Sequence, residues 1–314
     1  MIIKLLEPLN VSEDLINELA QPLKDMGHEF VYYPTKTTDI DELKKRSEHA
    51  DVIMIANNPY PREVIESNPE LKLINVAFTG FDHVQLDNHN IKMCNASGYA
   101  NTAVAELAIG LVLDVYRRIT KGNEELRKPN FSGPFQGAEI KDKVVGIIGA
   151  GKIGLETAQL FKAFGATVIA DDFMPTEEGK ELGITYLPQD EVFKQADIVS
   201  LHVPLLPSTK GLVGKEKLEM MKPTAILINC ARGPIVDNAA LAQALNDGTI
   251  AGAGIDVFDM EPPIPQDYPL LQAKNAVLTP HVGFLTNEAM VRRAMIAFDN
   301  TIAYLNGNPI NIVN

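Results

Sequence analysis

The chain has no tryptophan and only two cysteines in 314 residues. Cys94 and Cys230 form no CxxC pair and have no histidine at metal-ligand spacing, so neither a disulfide framework nor a metal site is expected. A reducing, cytoplasmic setting fits that usage. Positive charge is also scarce: 28 Lys and Arg stand against 41 Asp and Glu, for a formal net charge of −13. An acidic surface repels nucleic acid and anionic membranes, so neither is expected as a partner. It does not exclude an anionic substrate, because arginines and helix N-termini can hold one locally. Long apolar runs are missing. The most apolar stretch, 103–113, contains Glu106 and is too short to span a bilayer. The opening MIIKLLEPLN has no apolar core with a cleavage site and does not read as a signal peptide.

What is present is ordinary globular composition at a length that suggests two domains of ~150 residues each. Strand and helix signals alternate in two blocks. In the first, strands are expected at 2–6, 30–33, 52–56, 73–76 and 93–95, with helices at 13–26, 40–49 and 63–67. Ser12 is a candidate cap for the first of these helices. A single long helix is expected over 102–127, apolar almost all round in its first half and therefore buried there. A polar stretch rich in Gly and Pro, 128–143, leads into the second block. That block has strands at 144–148, 167–170, 198–202, 225–229, 254–257 and 277–278. A last helix, 287–305, is expected to pack back on the first domain. Alternating elements imply α/β architecture with mostly parallel, doubly wound sheets.

The run VVGIIGAGKIG places Gly149, Gly151 and Gly154 in a GxGxxG turn between a strand and a helix. The first glycine permits the turn, the second lets backbone approach a pyrophosphate, and the third lets helix pack on strand. Lys152 and Ile153 lie in the same turn. Asp172, at the end of the next strand, stands roughly 20 residues beyond Gly154, where a carboxylate accepts hydrogen bonds from ribose hydroxyls. It would repel a 2′-phosphate, which favours NAD over NADP. Arg232 follows the strand 225–229, at the sheet edge where open α/β sheets bind ligands. A guanidinium can grip a carboxylate with two parallel bonds. His281, after Pro280, is suited to give a proton to a developing alkoxide near neutral pH, and Glu261 could hold it protonated. Singly, these are ordinary loop and surface residues.

As a set, GAGKIG, ADD, LHVPLLPSTKGL, NCARGPIVD, GIDVFDMEP and TPHVG resemble the D-isomer-specific 2-hydroxyacid dehydrogenase family over nearly the whole chain. The resemblance is to the branch of phosphoglycerate dehydrogenase and glyoxylate or hydroxypyruvate reductases. It implies a flavodoxin-like substrate domain (1–98 plus 286–314) and a Rossmann NAD-binding domain (99–285). It implies that Arg232, Glu261 and His281 are catalytic and that Asp256 touches the nicotinamide carboxamide. Val203, Pro204, Thr209, Cys230, Ala231 and Gly283 would line the cofactor. In VAFTGFDHV, Phe78, Thr79 and Gly80 would meet substrate, with Thr79 also facing the nicotinamide. It further implies a homodimer formed through the cofactor domain and the long helix.

Departures from the family pattern are few. HVGF puts bulky Phe284 after the histidine, where it would limit substrate size. The linker lacks the family's common tryptophan, and Phe135 is the candidate substitute. No regulatory domain is expected after the last helix, which sets aside the long phosphoglycerate dehydrogenases. Cys230 reads as a packing residue, and His28, His49, His83 and His89 as surface or loop residues. Asn57, Tyr60, Phe78 and Phe81 are candidate pocket walls from the first domain. The expected reaction is hydride transfer between NAD and C2 of a small 2-keto or D-2-hydroxy acid. A non-catalytic NAD-sensing or corepressor-like protein on the same fold is the alternative.

Overall fold

A computed structural model of the chain describes residues 1–87, 90–130, 133, 135–260 and 263–314. Glu261 and His89 lie outside the described residues. The chain divides into two compact units, residues 1–100 with 285–314 and residues 101–284.

The first unit contains β1 (Ile2–Leu5), α1 (Glu13–Asp25), β2 (Glu29–Tyr32), α2 (Ile40–Ser47), β3 (Val52–Ile55), α3 (Arg62–Glu66), β4 (Leu73–Val76) and β5 (Lys92–Asn95). The second contains α4 (Asn101–Arg117), α5 (Ile119–Leu126), β6 (Val144–Ile148), α6 (Lys152–Ala163), β7 (Thr167–Asp171), α7 (Glu177–Glu181), β8 (Thr185–Tyr186), α8 (Gln189–Gln195), β9 (Ile198–Leu201), α9 (Lys215–Met220), β10 (Ile226–Asn229), α10 (Asn238–Asp247), β11 (Gly252–Ile255) and β12 (Ala276–Leu278). The chain then returns to the first unit as α11 (Asn287–Leu305).

In the first unit a parallel sheet runs in the order β2-β1-β3-β4-β5. This is the flavodoxin-like order. β3 (VIMI) and β4 (LINV) are buried at every position, as expected of parallel strands covered on both faces. α11 lies on α1, β4 and β5, and its Ala294, Ala297 and Phe298 join the core with Ile3, Leu5 and Leu23. Thr286 caps it by accepting from the Ala289 amide.

In the second unit seven parallel strands run β12-β11-β10-β9-β6-β7-β8. This is the Rossmann order with one further strand, and its reversal falls beside β6. The doubly wound α/β expectation holds for both sheets. The single helix expected over 102–127 does not. It breaks at Arg118, which is left-handed at φ 52° between α4 and α5. Asp114 drives the break by accepting from the backbone amide and hydroxyl of Thr120, which starts a new helix. Phe135 lies beneath this corner, its ring 5.6 Å from the Arg118 guanidinium carbon and 5.3 Å from Lys121 Nζ.

Candidate active site

Parallel strands deliver their C-terminal ends to one edge. In the second unit that edge carries the glycine turn after β6, Asp171–Asp172 at the end of β7, His202–Thr209 after β9, Cys230–Arg232 after β10, Asp256 after β11 and His281–Gly283 after β12. Residues from 149 to 283 are gathered by topology alone.

The glycine turn separates into positions the fold requires and one it does not. Gly149 has φ +91°, and its amide donates to the Asp171 carbonyl at 2.9 Å. A Cβ there would lie 2.8 Å from Val203 Cγ1. A Cβ on Gly154 would run into the Gly149 carbonyl oxygen. Gly151 is different: its φ is −75°, which any residue adopts, and a Cβ there would meet nothing within 4 Å. Gly151 also caps α6 without a side-chain bond, whereas Ser12, Asp39, Thr176, Asp237 and Thr286 each cap a helix with a side-chain oxygen. Open space over a glycine and a helix start without a side-chain acceptor fit the pyrophosphate of a dinucleotide.

Asp171 and Asp172 divide their work. The Asp171 carboxylate accepts from Gln189 Nε2 at 2.9 Å and braces the strand end. Asp172 accepts from the Met174 amide at 2.9 Å and stays half-buried at the edge. Thr209 is a staple for the loop after β9, donating to the Pro204 carbonyl at 2.6 Å and accepting from the Leu206 amide at 2.8 Å.

Arg232 is positioned by Asn229, which is fully buried. Asn229 Oδ1 accepts from the Ala231 amide and its Nδ2 donates to the Arg232 carbonyl, each at 3.0 Å. Arg232 Nη1 donates to the Ala231 carbonyl at 2.8 Å. Cys230 is buried, and burial with the nearby Asp256 charge pushes its thiol well above the usual range, so it stays protonated.

Asp256 is 1% exposed. Its Oδ1 accepts from Thr279 Oγ1 at 2.6 Å and from the Val282 amide at 2.9 Å, and its Oδ2 from the Gly283 amide at 2.8 Å. Its backbone carbonyl takes the His281 amide at 2.8 Å. The carboxylate therefore clamps the whole loop that carries His281. A carboxylate has about four acceptor positions, and these three bonds take up most of them. His281 itself is left-handed at φ 55°, an uncommon conformation for a non-glycine residue that the clamp holds in place. Phe284 stands edge-on to its ring, centroids 5.6 Å apart at 88°. Among the described residues no cluster of His, Cys, Asp and Glu could hold a metal ion.

Residues 109–283 match the family "D-isomer specific 2-hydroxyacid dehydrogenase, NAD binding domain". The chain belongs to this family. It is 34% identical over 302 residues to hydroxypyruvate reductase of Blautia hydrogenotrophica, covering 93% of this chain and 94% of the relative. It is 36% identical over 286 residues to glyoxylate reductase of Thermofilum pendens, covering 87% and 84%. The NAD-complexed D-isomer specific 2-hydroxyacid dehydrogenase of Lactobacillus delbrueckii ssp. bulgaricus superposes with a TM-score of 0.84 at 31% identity, with both chains covered in full. The protein is thus an NAD-dependent oxidoreductase that interconverts a 2-keto acid and its D-2-hydroxy acid.

In the first unit of the dehydrogenase, Phe78, Thr79 and Gly80 follow β4 at the corresponding sheet edge. Phe78 is buried against Tyr99, ring centroids 5.8 Å apart, while Thr79 is exposed. Asn57 accepts from Lys36 Nζ at 2.8 Å, and Phe81 is 36% exposed. Tyr60 is not a pocket wall. It is fully buried, with its hydroxyl 2.8 Å from Ser47 Oγ.

Three residues of these edges are given no role by the sequence reading. Glu7, fully buried after β1, accepts from the Ala56 and Asn58 amides at 2.7 and 3.0 Å and so shapes the loop after β3. Asn95 donates from Nδ2 to the Thr79 carbonyl at 2.8 Å. His202 pairs through Nε2 with Ser200 Oγ at 2.8 Å, and burial lowers its pKa to about 4, so its ring is neutral. Only His202 lay in a quoted motif, LHVPLLPSTKGL.

Proposed function

We propose that Arg232 holds the substrate carboxylate together with the Thr79 and Gly80 amides, and that His281 is the proton donor. The observation that carries this reading is the edge of the second sheet, where Arg232, the Asp256 clamp and the His281 loop follow adjacent strands beside the glycine turn. Lys152, Ile153 and the glycines would hold the cofactor pyrophosphate, Asp172 its ribose, and Val203, Pro204, Thr209, Ala231 and Gly283 its flanks. When bound, the nicotinamide supplies or accepts the hydride. Arg232 and protonated His281 polarise the keto group, and His281 gives its proton to the oxygen as C2 is reduced. In the oxidative direction His281 takes that proton back. Glu261 is assigned the carboxylate that partners the His281 imidazole. The side chains of Phe284 and Phe81 favour small 2-keto acids such as glyoxylate or hydroxypyruvate.

The protein acts in the cytoplasm as a homodimer joined through the second unit, without nucleic-acid or membrane partners. The exposed apolar side chains of Ile119 and Leu126 on α5, 57% and 70% accessible, support such an interface. No helix among the described residues is long and apolar enough to cross a membrane. The test is loss of NADH absorbance with glyoxylate, hydroxypyruvate, pyruvate and phenylpyruvate. His281→Ala should lower kcat by at least ~100-fold, as for loss of a general acid, with NADH affinity retained. Unchanged turnover in that variant would remove His281 from the mechanism.

A further inference from the structure

The loop after β4 owes its shape to a run of asparagines. The Phe78 carbonyl accepts from the Ala96 amide at 3.0 Å, and the Thr79 carbonyl accepts from Asn95 Nδ2 at 2.8 Å. In a trans peptide the C=O and the following N–H point in opposite directions. Tying both carbonyls to the segment 95–96 therefore turns the Thr79 and Gly80 amides away from it, side by side. Successive amides turned the same way form an anion-binding nest.

Asn95 is itself held at both of its backbone groups. Its amide donates to the Asn311 carbonyl at 3.1 Å, and its carbonyl accepts from Asn300 Nδ2 at 2.9 Å. Asn300 Oδ1 in turn accepts from Asn311 Nδ2 at 2.8 Å. Asn95 is 7% exposed and Asn300 1%, so the bond between these two is shielded from water. The segment beyond α11 lies antiparallel along β5, pairing Ile312 with Cys94. Its Asn314 is bonded to the Met93 amide and the Ile91 carbonyl, each at 2.8 Å, and makes no part of the link to Thr79.

We propose that Asn95 is a positioning residue for substrate binding, orienting the Thr79–Gly80 amides toward the carboxylate of the 2-keto acid, and that Asn300 and Asn311 hold it in register. The proposal rests on the reading that these amides receive the carboxylate. Asn95 touches no reacting atom, so its loss weakens carboxylate binding and leaves the hydride and proton steps in place.

The experiment compares the full-length parent with Asn95→Leu, Asn311→Gly and Asn314→Ala. Leucine keeps the shape of asparagine without its donor, and glycine keeps the left-handed backbone of Asn311 at φ 53°. KM for the best 2-keto acid, Ki for oxamate as a carboxylate probe, kcat, NADH affinity and melting temperature are measured for each. Asn95→Leu should raise KM and the oxamate Ki together by ~10-fold, the loss of about one oriented hydrogen bond, with kcat and NADH affinity little changed. Asn311→Gly should raise both by a smaller factor. Asn314→Ala should lower the melting temperature and leave KM and Ki unchanged. Parent-like KM and Ki in a folded Asn95→Leu would overturn the proposal. If that variant does not fold, the Asn311 and Asn314 variants decide, and equal effects on KM would overturn it. Absence of 2-keto acid turnover in the parent would overturn the underlying reading, and the proposal with it.

Discussion

Gly151 and Gly154 stand in one turn, yet the structure assigns them opposite dependences, and two alanine variants separate them. At Gly151 the backbone suits alanine and a Cβ meets no protein atom within 4 Å. Alanine would restrict the unfolded chain, which stabilises by about 0.5 kcal/mol. It is a poorer N-cap than glycine by a similar amount. The two effects cancel, so the melting temperature of Gly151→Ala without cofactor should match that of the parent. Its methyl group, however, fills the space a pyrophosphate would enter. NADH affinity should fall by at least ~10-fold, or about 1.4 kcal/mol. At Gly154 the Cβ has no room against the Gly149 carbonyl. Forcing it in moves α6 or the turn, and overpacking of this kind costs about 1–3 kcal/mol. The better helix propensity of alanine offsets that only in part. Gly154→Ala should therefore melt several degrees lower even without cofactor.

The assay is thermal unfolding without nucleotide, beside a fluorescence titration with NADH. Gly151→Ala binding NADH as tightly as the parent would refute the argument that an approaching ligand requires this glycine. Gly151→Ala losing stability while Gly154→Ala does not would refute the packing argument.

Two further substitutions and one pH series test the site. Asp256→Asn replaces at least one charged acceptor with a donor facing another donor. It should cost about 3 kcal/mol in urea unfolding, and kcat should fall because the His281 loop is released. A loss confined to NADH affinity, with stability intact, would make Asp256 a cofactor ligand only. For His202 the folded pKa of about 4 lies below the ordinary 6.5. Between these values the unfolded chain binds the extra proton, so stability is full above pH 6.5 and falls as pH drops toward 4. At pH 5 only part of this window has been crossed, and with the residue partly exposed the loss there is about 1 kcal/mol. Urea unfolding at pH 7.5 and 5 should show it in the parent and not in His202→Gln; equal pH dependence in both would exclude His202 as the cause.

The second unit was more legible than the first because its site is written at strand ends. A glycine turn, an acidic strand end and an arginine after an apolar strand each have a local physical meaning, and the parallel topology brings them to one edge. The family resemblance implies a cofactor role for Asp256, but nothing in the sequence links it to the His281 loop, because the clamp is made by three donors from a loop more than 20 residues away that no periodicity connects to it. Arg118 was illegible for the opposite reason. No proline interrupts 102–127, and the break comes from a local bond between Asp114 and Thr120 that competes with the helix and leaves no mark in the hydrophobic pattern.

The first unit exposes the sharper limit. Tyr60 sits in a loop with Asn57, and as a sequence neighbour it looks equally available to a ligand. Burial decides otherwise, since Ser47 satisfies its hydroxyl inside the core. Glu7 and Asn95 err in the other direction: a lone Glu after β1 and a lone Asn ending β5 carry no pattern. Each nevertheless holds the backbone of a loop at the sheet edge, Glu7 through the Ala56 and Asn58 amides and Asn95 through the Thr79 carbonyl. A loop at the edge of a parallel sheet has few partners of its own for its peptide groups, and each must be satisfied when buried. Buried polar side chains at neighbouring strand ends are the available donors and acceptors. Polar residues of this kind should therefore control substrate affinity in this fold as strongly as the residues that touch substrate. They can be found only by asking where each loop peptide sends its hydrogen bond.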